Sequence, residues 1–401
     1  MTIFFTIDDI SGRGGTERVV ANLANALAPT HSIVIITYHL RFDKLSVNLP
    51  QNAKIIILEQ LYGDFEPKGT IGKLKLCRYV NQIIRANGSE KNVLIANCNA
   101  FYPFLRQQKT LYVRLEHSYF KFLHAKYINK KPFLPRIAFF DTLVVLSSKE
   151  LFLWQKLNKN VRVIPNFIPE IPSKCTNHTQ KFILSVGRLS KEKGFLRLLD
   201  IWKIVQDRKD SNMNCESTHS VIANEVKQST IIQNGLPRFC VAETHNDSID
   251  SQNLTQWKLI IVGDGILKKE LESKIKALNL QDSIILKPFT KQIEKEYLNA
   301  SIYAMSSHFE GFPMVLLESA SYGLAPISFD IKTGPSDIIE NEKSGFLVTD
   351  NDLQGYADKL MLLMRDENLR FNFGSKAKRV VSERFSKEVV MEKWSKVFDN
   401  L

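Results

Sequence analysis

The amino-acid sequence predicts an α/β protein built from two Rossmann-like, doubly wound domains. In both halves of the chain, short apolar runs that suit buried strands alternate with helical patterns. A glycine-bearing loop follows the first predicted strand of each half, at residues 11–17 and 187–194. Between the halves, a polar, proline-bearing stretch that ends near Gln180 shows no periodicity and is typical of a linker.

Length and composition set the broad class of protein. A chain of 401 residues is long enough for two or three domains, and an apolar fraction of 44% is that of an ordinary globular protein. No apolar run reaches the roughly 18 residues that a membrane-spanning helix needs. The first residues, MTIFFTIDD, carry acids where a signal peptide carries bases, so we interpret them as a strand. Five cysteines without metal-like spacing favour a reducing cytoplasm and no structural zinc.

The first half begins with a strand, a glycine loop and a helix. Ile3–Ile7 is the predicted strand, and the loop Ser11–Glu17 leads into a helix from Arg18 to about Ala28. A loop of this kind between a strand and a helix is typical of phosphate and sugar sites, although a simple tight turn is an equally good interpretation.

The remainder of the first half alternates in the same way. Further strands are predicted at Ser32–Tyr38, Lys54–Leu58, Val93–Ala96, Thr110–Arg114 and Thr142–Leu146, with helices such as Ile71–Ala86 between them. His117 follows the Thr110–Arg114 strand directly, and ligands bind at the carboxyl ends of strands in such sheets. A lone histidine is commonly structural, but this position makes His117 a candidate functional residue.

The second half repeats the pattern from residue 182. Strand Phe182–Val186 leads into the loop Gly187–Gly194 and then into helix Phe195–Arg208, and Gly263 opens a tight turn after a later strand. Later strands are predicted at Trp257–Val262, Ser283–Leu286 and Ile302–Met305, and later helices at Leu267–Leu278, Ile293–Asn299, Asp352–Arg365, Asn368–Phe385 and Lys387–Asn400.

Residues 209–256 interrupt this pattern. The stretch is polar, rich in Asn, Ser, Thr and Gln, and lacks sustained periodicity. Without it, the helix before it would join the strand after it through a few residues. We interpret it as an insertion in a surface loop and predict that it is disordered.

Two carboxylates, Glu310 and Glu318, stand eight residues apart in the stretch from Ser306 to Val348. Glu310 begins a turn through Gly311, Phe312 and Pro313, in which Gly311 permits unusual backbone angles and Pro313 suits the first turn of a helix. The predicted helix runs from about Met314 to Tyr322, so Glu310 precedes its amino terminus and Glu318 lies on its second turn. Two exposed glutamates on an ordinary helix are the alternative interpretation.

This stretch resembles the signature of the retaining glycosyltransferases of family 4, also described as glycosyl transferases group 1. The E-x7-E spacing, the Glu310-Gly311-Phe312-Pro313 turn and the Gly334-Pro335-Ser336-Asp337-Ile338-Ile339 loop occur in the family's order. The loop with Arg188 and Lys193 matches the family's G-R-x4-K-G pattern, and Val163-Ile164-Pro165-Asn166 resembles the segment that ends its first domain.

The resemblance implies a GT-B fold, in which two domains face each other across a cleft. Residues 1–170 would form the acceptor domain, residues 181–385 the nucleotide-sugar domain, and residues 386–401 a helix that crosses back to the first domain. It also implies transfer with retention of anomeric configuration. No D-x-D motif stands in a metal-binding context, so we predict that no metal ion or other cofactor is required.

The same resemblance assigns roles to the candidate residues. Glu310 would lie near the donor sugar, Glu318 would bind the ribose hydroxyls, and His117 would contact the transferred sugar or the acceptor. Arg188 and Lys193 would compensate the charge of the departing diphosphate. Gly311, Phe312, Pro313 and Gly263 complete the expected donor site, and Gly14, Gly15 and Glu17 form the loop that faces the cleft from the acceptor side.

The net charge of +12 is unevenly distributed. From Lys68 to Arg136 the sequence carries fourteen Lys/Arg and two Asp/Glu, and aromatic residues stand beside lysines in Ser118–Arg136. An anionic membrane is the partner that we expect, and nothing resembles a nucleic-acid-binding module. With the family resemblance, this predicts a cytoplasmic protein at the inner membrane and a polyprenyl-linked glycan acceptor. A merely solvated basic surface, or an amphipathic helix covering the sheet, is the alternative.

Two other functions agree with the same sequence. The insertion could leave a nucleotide-sugar-binding relic that no longer catalyses transfer, which donor turnover would exclude. A sugar-nucleotide epimerase on the same fold would convert the donor without any acceptor.

Overall fold

The computed structural model describes residues 1–12, 14–63, 67, 69–97, 101–118, 120, 134–209 and 256–399. These residues form two α/β domains, each around one parallel sheet. The expected insertion at 209–256 therefore lies outside the described residues apart from its two ends, as does most of the aromatic and basic stretch from Ser118 to Arg136.

The amino-terminal domain contains a seven-stranded parallel sheet with the strand order β3-β2-β1-β4-β5-β6-β7. All residues of its central first strand are buried, as expected for a strand covered on both faces. Its elements are β1 (Thr2–Ile7), α1 (Gly15–Leu27), β2 (Ser32–Thr37), β3 (Lys54–Ile57), α2 (Leu58–Tyr62), α3 (Gly69–Asn87), β4 (Asn92–Ala96), β5 (Thr110–Glu116), a 3₁₀ turn (Leu134–Phe139), β6 (Thr142–Val145), α4 (Leu151–Gln155) and β7 (Val161–Val163).

The carboxyl-terminal domain contains a six-stranded parallel sheet with the order β10-β9-β8-β11-β12-β13. Its elements are β8 (Phe182–Val186), a 3₁₀ turn (Lys191–Lys193), α5 (195–209), β9 (Lys258–Val262), α6 (Lys268–Ala277), β10 (Ile284–Lys287), α7 (Ile293–Leu298), β11 (Ile302–Met305), α8 (Met314–Ser321), β12 (Ala325–Asp330), α9 (Pro335–Ile338), β13 (Phe346–Thr349), α10 (Leu353–Arg365), α11 (Glu367–Phe385) and α12 (Lys387–Phe398).

One hydrophobic cluster continues from the first domain into the second. It includes Val19 and Leu23 of α1, Met314 of α8 and Trp394 of α12, which also line a narrow interdomain space of about 290 Å³. Such a contiguous apolar contact favours a defined arrangement of the two domains.

The chain crosses between the domains twice, close together. The backbone N–H of Ile168 donates to the carbonyl of Phe385 over 2.9 Å, next to a bridge between Ile168 and Ser386. After this crossing, α12 packs on the first domain, where the rings of His31 and Phe398 lie 6.4 Å apart.

The structure differs from the sequence prediction mainly in short elements. β7, α4 and α9 were not predicted from the sequence because three to five residues show too little periodicity. β5 extends two residues further than predicted, to Glu116, so that His117 is the first residue after it. The predicted stop of α8 is correct, since Gly323 adopts φ +78° after the helix.

Candidate active site

The two domains touch where the turn after β11 meets the end of β5. A β-carbon added to Gly311 would lie 1.9 Å from the carbonyl oxygen of His117, so only a glycine fits at this contact. The sequence suggested that Gly311 supplies unusual backbone angles. The structure gives another reason, because Gly311 is not among the residues with positive φ. Its importance lies in the close approach of the two domains.

Glu310 lies beside this contact and is bound to Lys193. The Lys193 Nζ stands 2.7 Å from Glu310 Oε1, and the hydroxyl of Ser307 donates to the same oxygen over 2.7 Å. Thr333 Oγ1 donates to the Glu310 carbonyl over 2.6 Å. With 10% of its side chain exposed, Glu310 is a fixed carboxylate at the floor of the cleft.

The loop that carries Arg188 and Lys193 is attached to the end of β11. Gly194 adopts φ +65°, and a β-carbon there would lie 1.9 Å from the Ser306 carbonyl oxygen, so the loop and the strand end fit together only at a glycine. Lys193 is thereby directed at Glu310. Arg188 is 70% exposed and pairs with Glu192 over 2.8 Å, so its guanidinium is available to a ligand.

Glu318 is bound by a residue of the opposite domain. The Arg18 Nη2 lies 2.9 Å from Glu318 Oε1, and Nη1 donates to Oε2 over 3.2 Å. The Tyr297 hydroxyl donates to Oε2 over 3.0 Å. Burial raises the pKa of Glu318, and the Arg18 charge and the Tyr297 hydrogen bond partly counteract this rise.

The glycine loop before α1 is organised by its own glutamate. A β-carbon at Gly12 or Gly14 would come within 2.4 or 2.6 Å of the Glu17 carboxylate, which therefore lies against the loop. Burial raises the pKa of Glu17, while hydrogen bonds from the backbone of Glu17 and Gly14 lower it. The space beside Gly15 is open, with nothing within 4 Å of an added β-carbon. Glu17 shapes the loop, and Gly15 offers room for a ligand.

His117 is held as a neutral imidazole. Its Nε2 lies 2.9 Å from Asn97 Oδ1, and burial, with the nearby Arg114 charge, lowers its pKa to about 3. Arg114 in turn forms a buried ion pair with Glu116 over 2.8 Å. Near pH 7, His117 can contact a sugar hydroxyl, but it carries no proton to give as an imidazolium acid.

Three expected donor residues have packing roles in the structure. The ring of Phe312 is buried and lies 5.5 Å from that of Phe385, so its side chain belongs to the core and not to the cleft. A β-carbon at Gly263 would lie 1.9 Å from the Gly187 carbonyl oxygen, which makes Gly263 the contact between two loops. Pro313 lies under Gly334, whose added β-carbon would meet it at 2.5 Å.

A crevice of about 250 Å³, open to solvent, adjoins Glu310 between the domains. It is lined from the first domain by Glu116, His117, Ser118, Val145, Leu146, Ser147, Glu150 and Trp154, and from the second by Gly311 and Thr333. Polar side chains and one indole ring around such a space suit a carbohydrate better than an apolar ligand.

The sequence did not identify Arg18, Tyr297 or Asn97 as site residues. Arg18 directly follows Glu17, but its partner lies 300 residues away, and neither tyrosine nor asparagine carried a motif. These residues are recognisable only once the two domains are placed face to face.

Comparison with known proteins agrees with this arrangement. A family model described as glycosyl transferases group 1 matches residues 246–380. An amylovoran biosynthesis glycosyltransferase of Erwinia amylovora is 27% identical over 412 residues, covering 99% of this chain and 99% of that protein. An N-acetylgalactosaminyltransferase of Campylobacter jejuni, whose acceptor is an oligosaccharide on undecaprenyl diphosphate, is 26% identical over 404 residues, covering 99% of this chain and 98% of that protein.

A solved structure shares the fold. TarM of Staphylococcus aureus, crystallised with fondaparinux, α-GlcNAc-glycerol and UDP, has a TM-score of 0.74 at 15% identity and covers 99% of this chain and 100% of its own. Two parallel-sheet domains that face each other across a cleft have the GT-B fold, as the sequence predicted. Residues 246–380 are thus similar to the group 1 glycosyltransferases, and together with the full-length relatives they support a glycosyltransferase activity for this chain.

Proposed function

We propose that this protein transfers a sugar, with retention of configuration, from a UDP-sugar to a lipid-linked glycan acceptor in the synthesis of a bacterial surface polysaccharide. The observation that carries the proposal is the convergence of Glu310, Glu318 and Lys193 around one helix end. Lys193 stands 117 residues before Glu310 in the sequence, and all three residues match the family signature. The UDP in the S. aureus structure supports uracil as the base.

The paired charges explain how a donor diphosphate would be held. Lys193 is neutralised by Glu310 and Arg188 by Glu192. A diphosphate offers these cations a stronger partner than one carboxylate, because it presents several anionic oxygens. On binding, Lys193 would exchange part of its contact with Glu310 for the phosphate. Glu310 would then be free to accept a hydrogen bond from the donor sugar.

The transfer step needs no covalent enzyme intermediate. The bond between the anomeric carbon and the diphosphate breaks, and the acceptor hydroxyl attacks from the same face while its proton passes to a departing phosphate oxygen. Arg188 and Lys193 stabilise the negative charge that develops on that diphosphate. We therefore propose that the reaction requires no metal ion, which activity in excess EDTA would test. Complete loss of activity that magnesium restores would contradict this.

The acceptor would enter through the crevice beside Gly311. His117 donates its Nε2–H to Asn97 Oδ1, so its Nδ1 would accept one hydrogen bond from a hydroxyl of the transferred sugar or of the acceptor. Lipid linkage of the acceptor is supported by the C. jejuni relative, which acts on a glycan carried by undecaprenyl diphosphate.

A basic and apolar surface on the first domain suits the membrane where such an acceptor would lie. We define this surface as the outer face of α3 between Ile71 and Arg78 together with residues 102–106 and the 3₁₀ turn 134–139. Four large apolar side chains are exposed on it, Ile71 (74%), Leu74, Leu105 and Phe139. The helix α3 contains Lys73, Lys75, Arg78 and Arg85 and no acidic residue.

Aromatic rings connect the parts of this surface. Lys73 Nζ lies 5.2 Å from the centre of the Tyr102 ring, and the Arg136 guanidinium lies 5.4 Å from the same ring. Burial and the Arg136 charge lower the pKa of Lys73. Two cations gathered on one ring, with apolar side chains beside them, are typical of an interface with anionic lipid headgroups.

We therefore propose attachment to the cytoplasmic face of the inner membrane through this surface. Among the described residues, no helix is both long and apolar enough to cross a bilayer. Each base near an anionic surface contributes at most about 1 kcal/mol, and salt screens it, so the binding should be reversible.

Sedimentation with vesicles of phosphatidylglycerol and phosphatidylcholine tests the membrane proposal. Lys75→Glu with Arg78→Glu should release the protein from anionic vesicles, whereas Lys268→Glu with Lys269→Glu on α6 makes the same charge change elsewhere and should not. Equal losses in both variants would mean that net charge, not this surface, determines binding. Absence of any binding to anionic vesicles at low salt would refute the membrane proposal.

A thermal-shift screen with several nucleotide sugars, followed by product analysis, tests the enzymatic proposal. We expect stabilisation by one UDP-sugar and, with a lipid-linked acceptor, a product whose new bond keeps the donor's anomeric configuration. Binding without turnover would indicate a relic, and conversion of the donor without an acceptor would indicate an epimerase.

A further inference from the structure

The carboxylate that we assign to the donor ribose is occupied by the other domain. Both terminal nitrogens of Arg18 reach the two oxygens of Glu318, at 2.9 and 3.2 Å, across the cleft. The Glu318 side chain is 13% exposed, whereas that of Arg18 is 41% exposed. The guanidinium therefore lies over the carboxylate on its solvent side, where a ribose would approach.

A ribose and Arg18 would need the same atoms. The 2′ and 3′ hydroxyls of a nucleotide donate to a carboxylate through both of its oxygens, and the bidentate Arg18 contact uses both of them. Tyr297 belongs to the same domain as Glu318, and its hydroxyl donates to Oε2 from there. Ribose binding is thus compatible with Tyr297 but competes with Arg18.

The position of Arg18 allows it to move while its helix stays fixed. It lies in the first turn of α1, and its neighbour Glu17 is fixed against the glycine loop. The domains do not depend on this ion pair for contact, because Val19, Leu23, Met314 and Trp394 form an apolar interface nearby. A long, half-exposed side chain at the rim of such an interface can be displaced without opening it.

We propose that Arg18 is a positioning residue that occupies Glu318 when no donor is bound and is displaced by the donor ribose. The ion pair holds the carboxylate ready as an ionised acceptor. Donor binding must break this pair, so Arg18 lowers the affinity for any ligand that uses Glu318. This inference rests on the proposed function, because it requires Glu318 to be the ribose ligand.

Calorimetric titration with UDP tests the competition. Arg18→Ala should bind UDP about 2- to 5-fold more tightly than the wild type, which corresponds to about 0.4–1 kcal/mol at 1.4 kcal/mol per tenfold. In a Glu318→Gln background the same substitution should change nothing. Inorganic pyrophosphate, which lacks a ribose, should bind the wild type and Arg18→Ala equally.

Lys149→Ala is the matched control. Lys149 forms another ion pair across the cleft, with Asp330 at 3.5 Å, and does not contact Glu318. It should leave UDP affinity unchanged. If Lys149→Ala bound UDP as tightly as Arg18→Ala, the loss of any ion pair across the cleft would favour UDP binding. That result would refute specific competition between Arg18 and the ribose for Glu318.

Unchanged or weaker UDP binding by Arg18→Ala would also refute the proposal that Arg18 competes with the donor ribose. Weaker binding would mean that Arg18 is itself a donor ligand. Persistence of the tightening in the Glu318→Gln background would likewise refute the competition. Failure of the wild type to bind UDP or any other nucleoside diphosphate would instead refute the proposed function, and this inference with it.

Discussion

The two walls of the cleft use charge differently. On the amino-terminal wall, Glu17 is held by its own loop, His117 by Asn97 and Glu116 by Arg114, each within one domain and largely buried. On the carboxyl-terminal wall, the charged side chains pair with each other or across the cleft, and the basic partners remain partly exposed.

This difference indicates a division of labour. Contacts that are buried and internally satisfied keep a fixed shape, since breaking them leaves an unpaired polar group. Exposed ion pairs stabilise little, so a ligand can exchange them at small cost. We infer that the first wall presents a rigid surface to the acceptor, whereas the second wall offers cations that a diphosphate can recruit.

The largest effects on donor binding should come from Lys193 and Arg188, the two cations that we expect to bind the diphosphate. Lys193→Ala and Arg188→Ala should each weaken donor binding by about 1.5–3 kcal/mol, or roughly 10- to 100-fold, because each removes a charge-assisted contact to the diphosphate. Asn97→Ala, on the opposite wall, should leave the donor dissociation constant unchanged. Calorimetry on the three variants checks this, and unaltered donor binding in both cation variants would remove the diphosphate assignment.

The next effect concerns the close approach of the walls. Gly311→Ala should cost about 1–3 kcal/mol in stability or separate the domains locally, because its β-carbon would lie 1.9 Å from the His117 carbonyl. Gly15→Ala meets open space and serves as the control. Thermal denaturation of both variants distinguishes them. Equal behaviour would show that the contact at Gly311 is not maintained in solution.

A smaller effect should appear at low pH on the acceptor wall. His117 has its folded pKa lowered to about 3, so below about pH 6.5 the unfolded chain binds a proton that the folded protein does not. Stability should therefore fall as the pH decreases, by about 1.4 kcal/mol per pH unit for this residue. His117→Gln should reduce this slope in denaturant titrations from pH 7 to 5, and an unchanged slope would mean that the imidazole is solvated.

The smallest effect should follow removal of the predicted insertion. Deletion of Asn212 to Thr255 should leave a folded, donor-binding protein, because the free energy of loop closure depends only logarithmically on length. Circular dichroism and the UDP titration check this. A deletion variant that fails to fold would show that the segment is an integral element.

The sequence was sufficient for the fold because its signals are local. Buried strands such as β1, glycine loops and the E-x7-E helix are each contained within a few residues, and their order gave the two-domain architecture. The contacts between the two domains could not be predicted from the sequence. The partner of Arg18 lies 300 residues away. The burial of Phe312 against Phe385 depends on a packing that periodicity cannot show.

The roles of Glu310 and Glu318 form the central claim, and steady-state kinetics of Glu310→Gln and Glu318→Gln test it most directly. Glu310 lies at the floor of the cleft beside Lys193, whereas Glu318 lies at the predicted ribose position. We expect Glu310→Gln to lower kcat with little change in the donor KM, and Glu318→Gln chiefly to raise that KM. The reverse pattern would mean that the two roles are exchanged, and wild-type kinetics in both variants would contradict the proposed site.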